Sequence, residues 1–224
     1  MTIRLIQGDC LDILPTINEV DLIITDPPYL MNYHTGRIKD KSHDFRTPIK
    51  NDNNPNLIKE VVPLLFNSLK EGGAIYMFCN SNHIDFFKQE LEEYFTVKNI
   101  LIWIKNNWTA GDLKGAYGKC TEFIIFAVKG RHLLNGKRDI DTLYYDRVVG
   151  NMQRHQNQKP VDLLEFLIRK SSKPNDLVLD CFMGSGSTGV ACLNTNRNFI
   201  GIELEPKYYQ IAQERCKEYQ TKLM

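Results

Sequence analysis

The sequence predicts an α/β fold, a mostly parallel sheet with helices on both faces. Three observations carry that prediction. Short apolar runs alternate with amphipathic stretches along the chain, a G-x-G-x-x-G segment at 184–189 follows one apolar run, and Asp26-Pro27-Pro28 stops another. At 224 residues the chain has the size of one domain, and a 42% hydrophobic, 25% charged composition excludes disordered, collagen-like and coiled-coil proteins. No run approaches the ~20 apolar residues of a membrane span. The opening Met1-Thr2-Ile3-Arg4 is interrupted too soon for a signal peptide, so a cytoplasmic location and no membrane partner are expected.

Each element follows from its own pattern. Ile3–Gln7 is a short strand ending at Gly8-Asp9, and Val20–Thr25 is a second, stopped by the prolines. A helix over 57–70 is closed by Glu71-Gly72-Gly73, and 74–79 is the next strand. Residues 82–94 read as helix, and 97–105 and 122–129 as two longer strands joined by a glycine-rich connection at 106–120. The polar stretch 130–158 offers one short strand at 142–145. A helix starts at Pro160 and runs to 170, with proline suited to the first helical position. Leu177–Asp180 is a buried strand, the glycine turn opens a helix to 193, 199–203 is a strand, and 206–219 is a terminal helix.

The six cysteines are scattered with no C-x-x-C pair, so they read as reduced, buried small hydrophobes, and no metal is expected. The net charge of +1 hides an asymmetry. Residues 98–159 carry 11 Lys+Arg against 5 Asp+Glu and residues 30–50 carry 5 against 2, which leaves −8 on the remainder. Two basic segments could form a face for a polyanion; two solvated loops would look the same.

Asp26-Pro27-Pro28-Tyr29 ends an apolar strand, and the carboxyl ends of parallel strands line the ligand crevice. Two prolines stiffen the turn and leave carbonyls in fixed directions. A carboxylate, a fixed carbonyl and an aromatic ring together suit a planar base bearing an amino group, although Asp-Pro and Pro-Pro are also ordinary turn pairs. The run Leu179-Asp180-Cys181-Phe182-Met183-Gly184-Ser185-Gly186-Ser187-Thr188-Gly189, with Glu203 ending the next strand, has the spacing of a nucleoside-cofactor site. Asp180 would repel a pyrophosphate and suit an ammonium, which favours S-adenosylmethionine over NAD. His155-Gln156-Asn157-Gln158-Lys159-Pro160 leads into a helix whose dipole disfavours Lys159 unless an anion such as a ligand carboxylate or a DNA phosphate faces it, although on its own the run reads more simply as carrying an exposed lysine.

Asp-Pro-Pro-Tyr, then His-x-x-Gln-Lys-Pro, then Asp-x-Phe-x-Gly-Ser-Gly-Ser resembles the amino-methylating DNA methyltransferases, specifically the β-type order with the catalytic motif before the cofactor motif. Gly8-Asp9-Cys10, Glu122-Phe123-Ile124-Ile125 and Glu203-x-x-Pro206-x-Tyr208 extend the resemblance over nearly the whole chain. The resemblance implies a Rossmann-like methyltransferase fold, a seven-stranded sheet with one antiparallel strand, circularly permuted so that the cofactor half comes last. It makes 1–224 a single catalytic domain. It assigns Asp26, Pro27, Pro28 and Tyr29 to catalysis, with Asp26 also touching the cofactor. It assigns Asp180, Phe182, Gly184, Ser185, Gly186, Ser187, Thr188 and Glu203 to the cofactor, Asp9 and Cys10 to its adenine, and Lys159 to its methionine end. Cys181 and Met183 stand where the family often has proline and alanine, and Ser187 where threonine is common.

The activity so implied is transfer of a methyl group from S-adenosylmethionine to a flipped-out adenine N6 in DNA, releasing S-adenosylhomocysteine. Arg37, Lys39, Lys41, Arg46, Lys105, Lys114, Lys119, Arg138 and Arg154 are the expected DNA contacts, mostly to phosphates, from loops at 30–56, 106–120 and 130–155. Trp108 and Tyr117 could meet bases or simply pack. A homodimer and a cognate restriction enzyme are compatible with the resemblance. Asp as the first motif residue favours adenine, with cytosine N4 as the alternative chemistry. RNA or protein-glutamine methylation, an inactive DNA binder, and a dehydrogenase stand further off, the last because it leaves Asp-Pro-Pro-Tyr unused.

Overall fold

The computed structural model describes residues 1–29, 54–108, 114–148 and 158–222. The strands are β1 (Ile3–Gln7), β2 (Val20–Thr25), β3 (Leu69–Cys79), β4 (Thr96–Ile104), β5 (Thr121–Val128), β6 (Thr142–Tyr144), β7 (Leu177–Asp180) and β8 (Asn198–Glu203). The helices are α1 (Cys10–Ile13), α2 (Pro55–Ser68), α3 (Ile84–Glu92), α4 (Val161–Ser171), α5 (Ser187–Thr195) and α6 (Pro206–Lys222), with a short 3₁₀ turn at Leu14–Thr16.

All the strands join one sheet in the order β1-β8-β7-β2-β3-β5-β4-β6. Every pairing is parallel except those of β5, which runs antiparallel to β3 and β4. The sheet has eight strands among the described residues where the resemblance implied seven. The eighth is β6, three residues parallel to β4 at the sheet's edge. The permutation is visible in the order itself, since β7 and β8, late in the chain, pair next to β2 and β1.

Strand alternation divides the core between two helical layers. Along β3, Ile75, Met77 and Cys79 point to the layer of Leu57, Val61 and Leu65 from α2 and Phe87 from α3. Ala74, Tyr76 and Phe78 point to the other, built by Leu163 and Leu167 of α4, Ala191 of α5 and Ala212 of α6. Both faces of the strand are buried, which is why these parallel strands read as continuous apolar runs.

One boundary differs from the expectation. Glu71-Gly72-Gly73 does not separate a helix from a strand; it lies inside β3, whose register with β2 jumps between Val20 opposite Leu69 and Leu22 opposite Ala74. Gly72 has a φ of 81°, and its N–H donates to the Lys129 carbonyl at 2.8 Å, so the segment is a bulge tied to the end of β5.

Candidate active site

The order in which successive strands join the sheet reverses between β7 and β2, which are parallel, and the carboxyl ends of these neighbours form the expected ligand crevice. Four adjacent strands, β1, β8, β7 and β2, end there in Gly8-Asp9-Cys10, Glu203, Asp180 and Asp26 respectively. The structure thus brings together residues that lie at both ends of the sequence.

The glycine turn is built by its own contacts. Gly186 has a φ of 77°, and a Cβ there would stand 2.9 Å from Ala212 Cβ of α6, so only glycine fits both conformation and space. Asp180 is 4% exposed; Oδ1 accepts from the Phe182 N–H at 3.1 Å and Oδ2 from the Thr188 hydroxyl at 2.6 Å. Burial, partly offset by those two donors, pushes its carboxyl up to about 7. Glu203 Oε2 accepts from Gly184 N at 2.9 Å and Oε1 from Glu205 N at 2.8 Å. Gly8 N donates to the Glu203 carbonyl at 3.0 Å, and Asp9 caps α1 by accepting from Leu11 N at 2.9 Å. Arg215, buried on α6, donates to the Ser185 carbonyl at 2.6 Å, to its hydroxyl at 2.9 Å and to the Ser187 hydroxyl at 3.3 Å. No sequence signal marked this arginine as the clamp of the turn.

Beside the turn, Asp26, Tyr29, Lys159, Glu122 and Lys105 form one charged cluster. The Tyr29 hydroxyl donates to Asp26 Oδ1. Lys159 Nζ is 2.5 Å from Asp26 Oδ2, 3.0 Å from the Tyr29 hydroxyl and 3.3 Å from Glu122 Oε2. Glu122 Oε1 takes Lys105 Nζ at 2.7 Å. Asn80, following β3, donates to the Tyr29 carbonyl at 3.3 Å, and its own oxygen accepts from Asn82 and His83 N–H groups, so it ties the Pro-Pro-Tyr loop to the next strand's end.

The charges are set by burial against pairing. Burial pushes Asp26 above the usual carboxylate range, with Lys159 pulling down and Glu122 pushing up. Burial also acts on Glu122, but Lys159 and Lys105 outweigh it and hold that carboxyl below its ordinary value. Burial disfavours the Lys159 ammonium, yet Asp26 and Glu122 more than compensate and raise it. Burial and the two carboxylates keep Tyr29 a phenol. The cluster thus packs two carboxyls, two lysine amino groups and a phenolic hydroxyl into direct contact.

Of the expected DNA contacts, Lys114, Lys119 and Arg138 are exposed, and Lys119 Nζ meets Ser81 at 3.0 Å and Asn82 at 2.8 Å on the rim. Lys105 differs from the expectation: its ammonium is turned inward onto Glu122, because a partly buried carboxylate needs a counter-charge. Arg37, Lys39, Lys41, Arg46 and Arg154 lie outside the described residues, as does most of the three expected loops. Glu122 joins the site although the sequence marked it only as part of the family-like strand Glu122-Phe123-Ile124-Ile125, an acid near the start of an apolar run.

Sheet order, the one antiparallel strand among the described residues and the glycine turn at the crevice define a Rossmann-like methyltransferase fold. The N6/N4 DNA methylase family matches residues 20–214, and the chain belongs to that family. It is 30% identical over 236 residues to the type II methyltransferase M2.MboI of Moraxella bovis, covering 95% of this chain and 86% of that protein. The crystal structure of an M1.HpyAVI–SAM complex superposes with a TM-score of 0.75 at 31% identity, over 96% of this chain and 100% of the other. PvuII DNA methyltransferase, described as cytosine-N4-specific, shares the fold with a TM-score of 0.77 at 16% identity, over 100% of this chain and 93% of the other.

Proposed function

We propose that the protein methylates adenine N6 in DNA with S-adenosylmethionine as donor, as one catalytic domain whose loops at 30–56, 106–120 and 130–155 read the target. The observation that carries this reading is the Asp26 carboxylate at the end of β2, beside a stiff Pro-Pro turn and adjoining the glycine crevice. Asp as the first residue of the motif favours adenine over cytosine. The complex with SAM in a 31% identical relative supports the cofactor.

The residues present fit that cofactor. The Glu203 carboxylate accepts backbone N–H groups of Gly184, Glu205 and Leu204, and two carboxylate oxygens with about four acceptor sites between them keep room for a ribose hydroxyl. Ser185 and Gly186 give a turn with no bulky side chain, Asp9 and Cys10 border the adenine end, and Asp180 lies at the base of the turn, where its charge favours an ammonium. Lys159 is the cation for a ligand carboxylate. When bound, S-adenosylmethionine supplies an activated methyl on a sulfonium.

Asp26 and the Pro27 carbonyl accept from the target amino group, which is a weak nucleophile because its lone pair is delocalised into the ring. Their hydrogen bonds draw that nitrogen towards tetrahedral geometry. Asn80 and the two prolines hold these acceptors in place, so catalysis is positioning and fixed electrostatics. Tyr29 is tied to Asp26 by its hydroxyl, which leaves its ring to pack on the flipped base. The exposed Lys114, Lys119 and Arg138 contact phosphates.

Methyl transfer from labelled S-adenosylmethionine to duplex DNA, followed by nucleoside analysis, tests the reading. Labelled N6-methyladenine is expected. Labelled N4-methylcytosine would keep the mechanism and change the base, and label on RNA or protein alone would overturn the substrate.

Glu203→Ala should weaken cofactor binding by about tenfold to a hundredfold, the scale of hydrogen bonds to a charged group, with a smaller effect on kcat. Unchanged affinity in a calorimetric titration would remove its ribose role. Asp180 predicts a pH dependence. Its folded value of about 7 lies above the ordinary 3.8, so its contribution to stability is full below about 4 and is lost as pH rises through about 7. Affinity for a ligand ammonium runs the other way, since the carboxylate becomes the major form only as pH rises past about 7. The cofactor should therefore bind more weakly at pH 6 than at pH 8, and a flat profile between them would exclude Asp180 as its partner.

A further inference from the structure

Asp26 is held on both oxygens, Oδ1 by the Tyr29 hydroxyl and Oδ2 by Lys159 Nζ at 2.5 Å. A carboxylate oxygen has a second lone pair, so an amino group can still approach. A directly bound ammonium nevertheless offsets the negative charge that should draw electron density towards the amino nitrogen. For Asp26 to act at full strength, Lys159 has to relax its hold.

Where that ammonium can go is limited. It has three N–H donors, and three oxygens face them at 2.5, 3.0 and 3.3 Å, from Asp26, Tyr29 and Glu122. Lys159 is 7% exposed, so open water is not an alternative. Glu122 Oε2, at 3.3 Å, is the other carboxylate oxygen within reach among the described residues, and its own partner Lys105 holds it in place through Oε1 at 2.7 Å.

Resting on the reading of Asp26 given above, we propose that Glu122 is a positioning residue of the methyl transfer. It shares the Lys159 ammonium with Asp26 and takes up the larger share of it when the target amino group reaches Asp26. The exchange moves no net charge into or out of the cluster, which makes it inexpensive in a water-poor site. Glu122 does not touch the substrate; it acts through Lys159.

Glu122→Gln and Glu122→Asp test this with two readouts. The first is steady-state methylation against pH. The second is the titration of Asp26 in protein carrying isotope-labelled aspartate, followed by NMR, which needs no substrate. The titratable groups facing Asp26 are Lys159, Tyr29, Glu122, Cys79 from β3 and Asp180 from β7, with Lys105 acting through Glu122. Glu122→Gln changes one of them. It should lower kcat about tenfold to a hundredfold with the cofactor KM nearly unchanged. The acid limb of kcat and the Asp26 titration should both move to lower pH, because a like charge is removed and Lys159 commits to Asp26.

Glu122→Asp keeps the charge one methylene further away, so the titration should stay near that of the wild type while kcat falls less. An unchanged kcat in Glu122→Gln, or a fall without movement of the Asp26 titration, would overturn the proposal. Should Glu122→Gln not fold, Glu122→Asp decides alone: a wild-type kcat in it would overturn the proposal. Absence of DNA methylation by the wild-type protein would sink the functional reading, while the Asp26 titration would still decide whether the lysine is shared.

Discussion

Asp26→Ala should lose at least about a hundredfold in kcat while the protein stays folded, with a much smaller loss of cofactor affinity. The scale is that found when one preorganised electrostatic partner is removed from an active site. The alanine removes the acceptor for the target amino group, and no neighbour can replace it. Glu122 Oε2 is 3.3 Å from Lys159 Nζ, so that ammonium keeps a counter-charge in the variant and the fold is not left with an unpaired buried cation. The loss should therefore appear in kcat and leave the thermal midpoint close to that of the wild type. Single-turnover methylation, calorimetric cofactor titration and a thermal melt check the three parts. Near-normal single-turnover rates would remove Asp26 from the chemistry, and a collapsed melt would make its role structural.

Lys159→Met should have the largest effect on stability. It leaves Asp26 and Glu122, with side chains 22% and 21% exposed, facing each other without the cation between them. Breaking a buried pair from one side costs about 3–5 kcal/mol, and the residual exposure of both carboxylates argues for the lower end. For a chain of this size about 3 kcal/mol corresponds to a fall of roughly 6–12 °C in the melting temperature.

The effect has a sign in pH. Lys159 and Lys105 hold Glu122 below its ordinary value, so the stability that Glu122 contributes is present above the unfolded carboxylate range and is lost as pH falls through the folded value. The deficit of Lys159→Met relative to the wild type should thus be largest near neutral pH and shrink in acid, where either carboxylate can take a proton. Melting temperatures of both proteins at pH 5 and pH 8 test this. An equal deficit at both would show that Lys159 stabilises by packing alone.

By itself the sequence determined the alternation of strands and helices, the strand-ending position of Asp26, the glycine turn after Asp180 and the acid at Glu203. These are local properties: apolar runs of strand length, prolines that remove donors, glycines that permit a left-handed turn. Even the short β6 left a trace, at 142–145.

Tertiary structure decided what no local pattern could. Glu122 is the second residue of β5, and among the described residues β5 alone runs antiparallel to its neighbours, so its first residues lie beside the end of β3 and at the same end of the sheet as the last residues of β2. Strand direction is not written in a strand's own residues, and with the usual parallel sense Glu122 would stand at the opposite end of the sheet from Asp26. Lys105 follows the same logic. In sequence it is one more lysine of a basic segment, and only the neighbouring Glu122 turns it inward. Arg215 is 30 residues from the serine it holds, at a distance along the chain that no spacing rule connects. The bulge at Glu71-Gly72-Gly73 is a further case, because a positive φ at Gly72 serves a turn or a bulge equally, and the pairing of β3 with β2 and β5 chose the bulge. The polar groups of the site were thus readable wherever chain neighbours shape them, and hidden wherever the partner that gives them a role arrives from another strand.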